Sequence, residues 1–323
     1  MSYERVPQVG SGADLAVDID QWIGSPPIRD LVTGSGGDPD AVLTGDLPCK
    51  LGALSDFTER WDSRKGAERN QAEPLELDPD TEKLVVDAAV ALGLRGGTSP
   101  ALDRYDHVLM LGGLVRACVT RPAYVARMMR EGTLTAGAVT ALGGHRPFAG
   151  DEFDLARVVG LGDVADEFSA LDAGTRRAFE LDPGFVTEQG SPEVGNAAWT
   201  IRTYGVGDHR TPVTVAAAPS SDPANRRAHT ADTYQWFATT LAHLRPGDTV
   251  LCVTTQIYVP AQHASALRML GLPYGVHVET VGMVPGDEIP GLTQTFTPSN
   301  YLQEIRSTVR NLRDLTNALP RTA

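Results

Sequence analysis

Little in this chain would carry it into a membrane, onto nucleic acid or into an oxidising compartment. Its 323 residues hold three cysteines, Cys49, Cys118 and Cys252, with neither C-x-x-C nor another metal-ligand spacing. An odd, scattered set predicts reduced thiols, and Cys252, inside the apolar run 250–253, reads as a buried strand residue rather than a nucleophile. Lysine is confined to Lys50, Lys65 and Lys83, and 28 basic residues face 41 acidic ones for a formal charge of -13. That field opposes nonspecific binding to nucleic acid or an anionic membrane, so neither is expected as a partner. No apolar run approaches the length of about eighteen residues that a spanning helix needs, and residues 1–14 show no apolar stretch behind a basic start. A soluble, cytoplasmic protein is expected. G-x-G-x-x-G, G-x-S-x-G, Walker A, H-E-x-x-H and the kinase signatures are all missing, which weighs against dinucleotide hydride transfer, a serine elbow, P-loop chemistry, zinc proteolysis and protein kinase activity.

The length allows one large α/β domain, or a domain with a substantial extra segment. Residues 24–46 are dense in Gly, Pro, Ser and Asp and read as loop. Residues 79–94 read as a helix, with Leu84, Val85, Ala88, Val90 and Leu92 behind an acidic opening at Asp80 and Glu82. Residues 1–104 are therefore expected to be a loop-rich, partly helical N-terminal extension packing on a main domain of residues 105–323. From residue 105 short apolar runs alternate with helical patterns, as in βα units around a parallel sheet. Strands are predicted at 107–111, 136–142, 213–218, 249–254 and 276–281, with helices near 121–131, 152–179, 230–244 and 260–270. A last helix starts at Thr297-Pro298 and gathers Leu302, Ile305, Val309, Leu312 and Leu315 on a stripe expected to dock on the sheet. The fold class is α/β, a Rossmann-like parallel sheet with an N-terminal extension.

In such sheets ligands sit beyond the carboxyl ends of the strands. The first strand runs into Gly112 and Gly113, with Arg116 close behind as a counter to an anion; a tight turn would require glycine there as well. The second runs into Gly143, Gly144, His145 and Arg146. His145 offers a general acid or base, and Arg146 a clamp for phosphate or carboxylate. The fourth runs into Thr254, Thr255, Gln256 and Tyr258, uncharged donors and acceptors suited to orienting a ligand. Before the preceding helix stand Arg226, Arg227 and His229, then Thr230 as the expected N-cap and Asp232 in the first turn. Asp232 and Glu152 are further candidates for proton transfer, and Asp151, Glu152 and Asp154 could hold Mg²⁺ beside a phosphate.

Taken in order, Gly112-Gly113, Gly143-Gly144-His145, the segment 229–233 and Val253-Thr254-Thr255 resemble the SanA/ElyC/YdcF family of Rossmann-like domains. The match covers roughly residues 106–281. It departs from the family pattern where His229 replaces the usual asparagine and Asp232 the usual glutamate. The resemblance implies a three-layer α/β/α fold, a pocket at the strand ends for a nucleotide-like or other anionic small molecule, and the soluble branch of the family. Outside it lies the segment 59–70, where Arg60, Arg64, Lys65 and Arg69 surround Trp61. That segment reads either as an anion clamp with a stacking ring or as a solvated helix in which Arg64 pairs with Glu68. The function expected is a transferase or hydrolase acting on a nucleotide-like or phosphorylated substrate, with a noncatalytic module for a nucleotide or adenosyl ligand as the alternative. Nucleotide, adenosyl compound and Mg²⁺ all stay open as cofactors, as does the oligomeric state.

Overall fold

A computed structural model describes residues 3–65, 73–182, 186–191, 193–204, 211–283, 289 and 291–320. The chain forms two compact units, one of Met1–Gly97, Gln256–Arg268 and Gln294–Ala323, the other of Thr98–Thr255 and Met269–Thr293.

The first unit is helical: α1 (Leu15–Ile23), α2 (Pro26–Gly34), α3 (Pro39–Val42), α4 (Leu47–Phe57), α5 (Pro79–Ala91), α10 (Val259–Ala266) and α12 (Pro298–Ala318). The region read as loop in fact holds α2 and α3. Its prolines stand at the first helical positions behind Ser25 and Asp38, and the Asp38 carboxylate accepts from the Asp40 N–H. The punctuation there is capping. Thr297 caps α12 as predicted, accepting from Asn300. Its apolar stripe, expected against the sheet, packs instead on α4, α5 and α10.

The second unit carries β1 (Arg104–Leu111), α6 (Val115–Arg130), β2 (Thr135–Gly143), α7 (Glu152–Val158), α8 (Glu167–Phe179), β3 (Val186–Gly190), β4 (Thr200–Tyr204), β5 (Val213–Ala217), α9 (Thr230–Trp236), β6 (Thr249–Thr254), α11 (Leu272–Tyr274) and β7 (His277–Gly282). They form one seven-stranded sheet in the order β3-β4-β5-β2-β1-β6-β7. The five predicted strands make its parallel part, while β4 runs antiparallel on β5 and β3 antiparallel on β4. This is a Rossmann-like α/β fold. β3 and β4 escaped sequence reading because β3 is exposed along its whole length and β4 is half-buried, so neither shows an apolar run. Val108, Met110, Val139, Ala141, Val215, Leu251 and Val253 join Val119, Val125, Phe168 and Leu171 of α6 and α8 in the main core. On the opposite face His107 meets Phe237 edge-on, just past α9, so helices cover the sheet on both sides.

Candidate active site

Beneath the strand ends lies a closed ionic cluster. Arg146 grips Glu152 with both terminal nitrogens, at 2.7 and 2.8 Å. Its Nε donates to Glu167 at 3.1 Å, and the two remaining N–H groups reach the carbonyls of Pro147 and Gly113. A guanidinium has five N–H donors, and all five are spent. Arg146, Glu152 and Glu167 are 6%, 1% and 9% exposed. Burial works against the Arg146 charge, but the two carboxylates hold its pKa above the ordinary value. Burial pushes the Glu167 carboxyl up despite Arg146. The expected anion clamp at Arg146 is thereby corrected, since no N–H is left for a ligand.

Glu152 is corrected on the same ground. Its carboxylate also accepts from the backbone N–H groups of Val115, the first residue of α6, and Ala149. An internal anion thus sits at the N-terminus of α6, where dinucleotide-binding folds place a phosphate. The α6 terminus therefore does not fit a nucleotide phosphate. Turned inward, Glu152 cannot converge on Mg²⁺ with Asp154, which is exposed and pairs with Arg157. Among the described residues no three His, Cys, Asp or Glu side chains group so as to hold a metal.

The glycines of both loops serve this cluster. A Cβ on Gly112 would stand 2.3 Å from Glu167 Oε1 and 3.1 Å from the Gly143 Cα, and one on Gly143 would stand 2.8 Å from the same carboxylate. Gly113 has a φ of 153°. Beside them Arg121, unremarked in the sequence, donates to the Leu111 and Gly112 carbonyls and to Thr255 Oγ1. The strand order reverses between β1 and β6, so Arg121 fills the switch-point crevice where a Rossmann ligand would lie. Thr254, at the end of β6, is fully buried.

At the mouth of α9 the N-cap is His229, not Thr230. Its Nδ1 accepts from the Asp232 N–H while the Asp232 carboxylate accepts from the His229 N–H, a reciprocal capping box. Asp232 also takes both terminal nitrogens of Arg226, which reaches Ser220 and Ser221 as well. Burial would raise the Asp232 carboxyl, but Arg226, Ser221 and the His229 N–H hold it far below the ordinary range. Such an acid is a poor proton carrier near neutral pH. Asp232 as catalyst and Arg226 as clamp both give way to this structural pairing.

His145 is different. It lies two residues past β2, where Gly143, Ala217 of β5 and Thr200 of β4 form one row across the sheet. Its Nδ1 lies 3.1 Å from Asp166 Oδ2 and its Nε2 3.0 Å from Thr200 Oγ1. Phe168 packs against the ring, with centroids 5.2 Å apart. Asp166 is the N-cap of α8, its other oxygen accepting from the Ser169 N–H and hydroxyl. Burial raises its carboxyl, yet the bonds to His145 and Ser169 outweigh that and lower it. The side chains of His145 and Asp166 are 26% and 28% exposed, so solvent reaches the pair. A carboxylate, an imidazole and a hydroxyl thus stand in line. Gly144 lies alongside, with Ala228 in ordinary contact distance of a Cβ placed on it. Asp166 and Thr200 were missed because neither belongs to a motif, although Asp166-Glu167-Phe168-Ser169 does carry a capping signal.

The remaining candidates divide. Arg116, at the start of α6, is half-buried, and its guanidinium has no partner among the described residues. Gln256 and Tyr258 belong to the helical unit, where Gln256 donates to the Gly93 carbonyl and Tyr258 meets Phe296 edge-on. In that unit Arg64 pairs with Glu304 and Arg306 with Glu59 and Asp62. Trp61 is buried, with its N–H on Ser35, so it offers no face to stack on. Arg69 and Glu68 lie outside the described residues. Elsewhere in the sheet unit a cavity of about 320 Å³ opens between α6, α7 and α8, lined by Val119, Val158, Gly174, Arg177 and Leu292. Among the described residues its one ionisable lining side chain is Arg177, and none of His145, Asp166 and Thr200 lines it. Cys49, Cys118 and Cys252 are free thiols, with burial pushing Cys252 up to about 12. No helix among the described residues is long and apolar enough to cross a membrane.

Residues 7–93 match the family described as the Rv3785 N-terminal domain. Over 335 aligned positions the chain is 32% identical to uncharacterized protein Rv3785 of Mycobacterium tuberculosis (strain ATCC 25618 / H37Rv), covering 96% of this chain and 90% of that protein. The same figures hold for uncharacterized protein Mb3814 of Mycobacterium bovis. No solved structure matches.

Proposed function

We propose that this chain, which belongs to the family of the mycobacterial protein Rv3785, is a cytoplasmic hydrolase or transferase whose proton-transfer group is His145. It acts on a small molecule at the carboxyl ends of β2 and β5. One observation carries this reading: the His145 ring is fixed at Nδ1 by the Asp166 carboxylate and aims Nε2 at a hydroxyl. A carboxylate behind an imidazole sets the tautomer and stabilises the imidazolium that forms when the ring takes a proton. The resemblance to the SanA/ElyC/YdcF family supports the same strand ends as the ligand position. Among the described strand-end candidates, Arg116 is the guanidinium that supports a nucleotide-like or phosphorylated substrate, because Arg146 and Arg226 are committed to internal carboxylates. Three free thiols suit a reducing compartment.

The test begins with a thermal-shift screen of purified protein against small carboxylic esters, nucleotides, adenosyl compounds and phosphorylated metabolites, followed by turnover of each stabilising compound. His145→Ala is expected to keep binding and lose turnover by at least about a hundredfold. Undiminished turnover in that variant refutes the reading. A ligand that wild type binds but never converts replaces it with a noncatalytic binding module.

A further inference from the structure

We propose that Thr200 is the nucleophile of this site and that the bond it opens belongs to an uncharged carboxylic ester. The inference rests on the assignment of His145 as the proton-transfer group and adds to it the attacking atom and the substrate class. With Asp166 ionised, Nδ1 carries the ring proton toward Oδ2, so Nε2 presents its lone pair to Thr200 Oγ1 at 3.0 Å. Thr200 is thereby the donor, with its proton already directed at the base. A polar pair of this kind could be a mere surface contact, but three features make it more than that.

First, Thr200 is held by its backbone from both sides, paired with Gly190 of β3 and Ala217 of β5. Its branched side chain has few rotamers to choose from, so Oγ1 keeps its direction. Second, Asp166 divides its work: one oxygen faces His145 and the other caps a helix of thirteen residues. The helix dipole favours the ionised carboxylate that the mechanism needs. Third, the local charge selects the electrophile. Around the trio Arg146 is saturated by Glu152 and Glu167, Arg202, which lies over the Phe168 ring, is paired with Asp172 and Glu188, and Arg227 acts on the Glu167 carboxylate. A phosphoryl dianion would enter beside Asp166 with these guanidinium groups already neutralised, whereas a carbonyl carbon brings no charge to offset.

The step balances without a metal or redox partner. Oγ1 attacks the carbonyl carbon as its proton passes to Nε2, forming a tetrahedral adduct. The imidazolium then gives that proton to the alkoxy oxygen, the C–O bond breaks, and an alcohol leaves behind acyl-Thr200. Water repeats the sequence: Nε2 takes its proton, the acyl–Oγ1 bond breaks, a carboxylic acid departs, and Oγ1 regains a proton from the ring.

The full chain is assayed with p-nitrophenyl esters of acetate to octanoate and with p-nitrophenyl phosphate, and acid-quenched samples are digested and mapped by mass spectrometry for acylated Thr200. The expected result is ester hydrolysis with transient acylation at Thr200 and no phosphatase activity above background. Thr200→Val, which keeps the branched shape, should lose at least about a hundredfold, and Thr200→Ser should still acylate. If Thr200→Val retains wild-type rates while His145→Ala is dead, the nucleophile assignment fails and the proton-transfer reading stands. If both variants retain activity, both readings fail. Cleavage of the phosphate in place of the esters, or no adduct at Thr200 with any ester, overturns the proposal.

Discussion

Replacing Arg146 should weaken the fold itself. Arg146→Ala deletes all five N–H donors and leaves Glu152 and Glu167, whose side chains are 2% and 11% exposed, without their cation. Removing one partner of a buried pair costs about 3–5 kcal/mol, because the stranded charge has lost both water and partner. In a unit of this size each kcal/mol moves Tm by roughly 2–4 °C, so Tm should fall by roughly 6–20 °C. Burial already pushes the Glu167 carboxyl above its ordinary value, and the variant lacks the cation that opposed this. A group whose folded pKa is raised contributes stability below that pKa and loses it as pH rises through it. The Tm deficit should therefore be larger at pH 8 than at pH 5, and the double variant Arg146→Ala/Glu152→Gln should recover part of it. Circular dichroism melts of wild type and both variants across that range measure it. A loss under about 2 °C, or a deficit that does not change with pH, would refute the stranded-carboxylate argument.

Asp166→Asn keeps an N-cap for α8 but removes the carboxylate behind His145, so turnover should fall by about 10²–10⁴-fold with little change in Tm; a normal rate would reduce Asp166 to a cap. Asp232, held far below the ordinary carboxylate range, contributes stability above its unfolded pKa that is lost as pH falls toward the folded one. Melts from pH 7 to pH 3 should show a shallower acid loss in Asp232→Asn than in wild type, and equal slopes would contradict the pairing with Arg226. Gly174→Ala would place a Cβ 2.1 Å from the Cys118 carbonyl oxygen and force α6 from α8, costing about 1–3 kcal/mol in urea unfolding; a neutral result would mean the helices part freely.

The parallel strands were readable from sequence because strands buried on both faces write themselves as unbroken apolar runs, as residues 250–253 do. The half-exposed β4 writes nothing comparable, and with it went Thr200. In the helical unit the same cause worked in reverse: Ser25-Pro26-Pro27 and Asp38-Pro39 are loop-like by composition and helix starts by position. The strand-end rule pointed to the loops after β1, β2 and β6, yet most polar residues on them are spent on one another. Residue type says what a side chain can bond, whereas availability depends on what folds up against it. Arg146 meets Glu152 only six positions away and still escaped pairing on paper, because the turn at residues 147–151 that brings them together has no periodicity to read. His145 and Thr200 are separated by 55 positions and two strand crossings. Their alignment depends on β4 entering the sheet antiparallel beside β5, which places the first residue of that strand level with the last of the parallel ones. A strand antiparallel to its neighbours thus presents at its beginning a side chain level with those at the parallel strands' ends. On this fold the start of β4 brings a hydroxyl to the same level as the residues beyond the ends of β2 and β5.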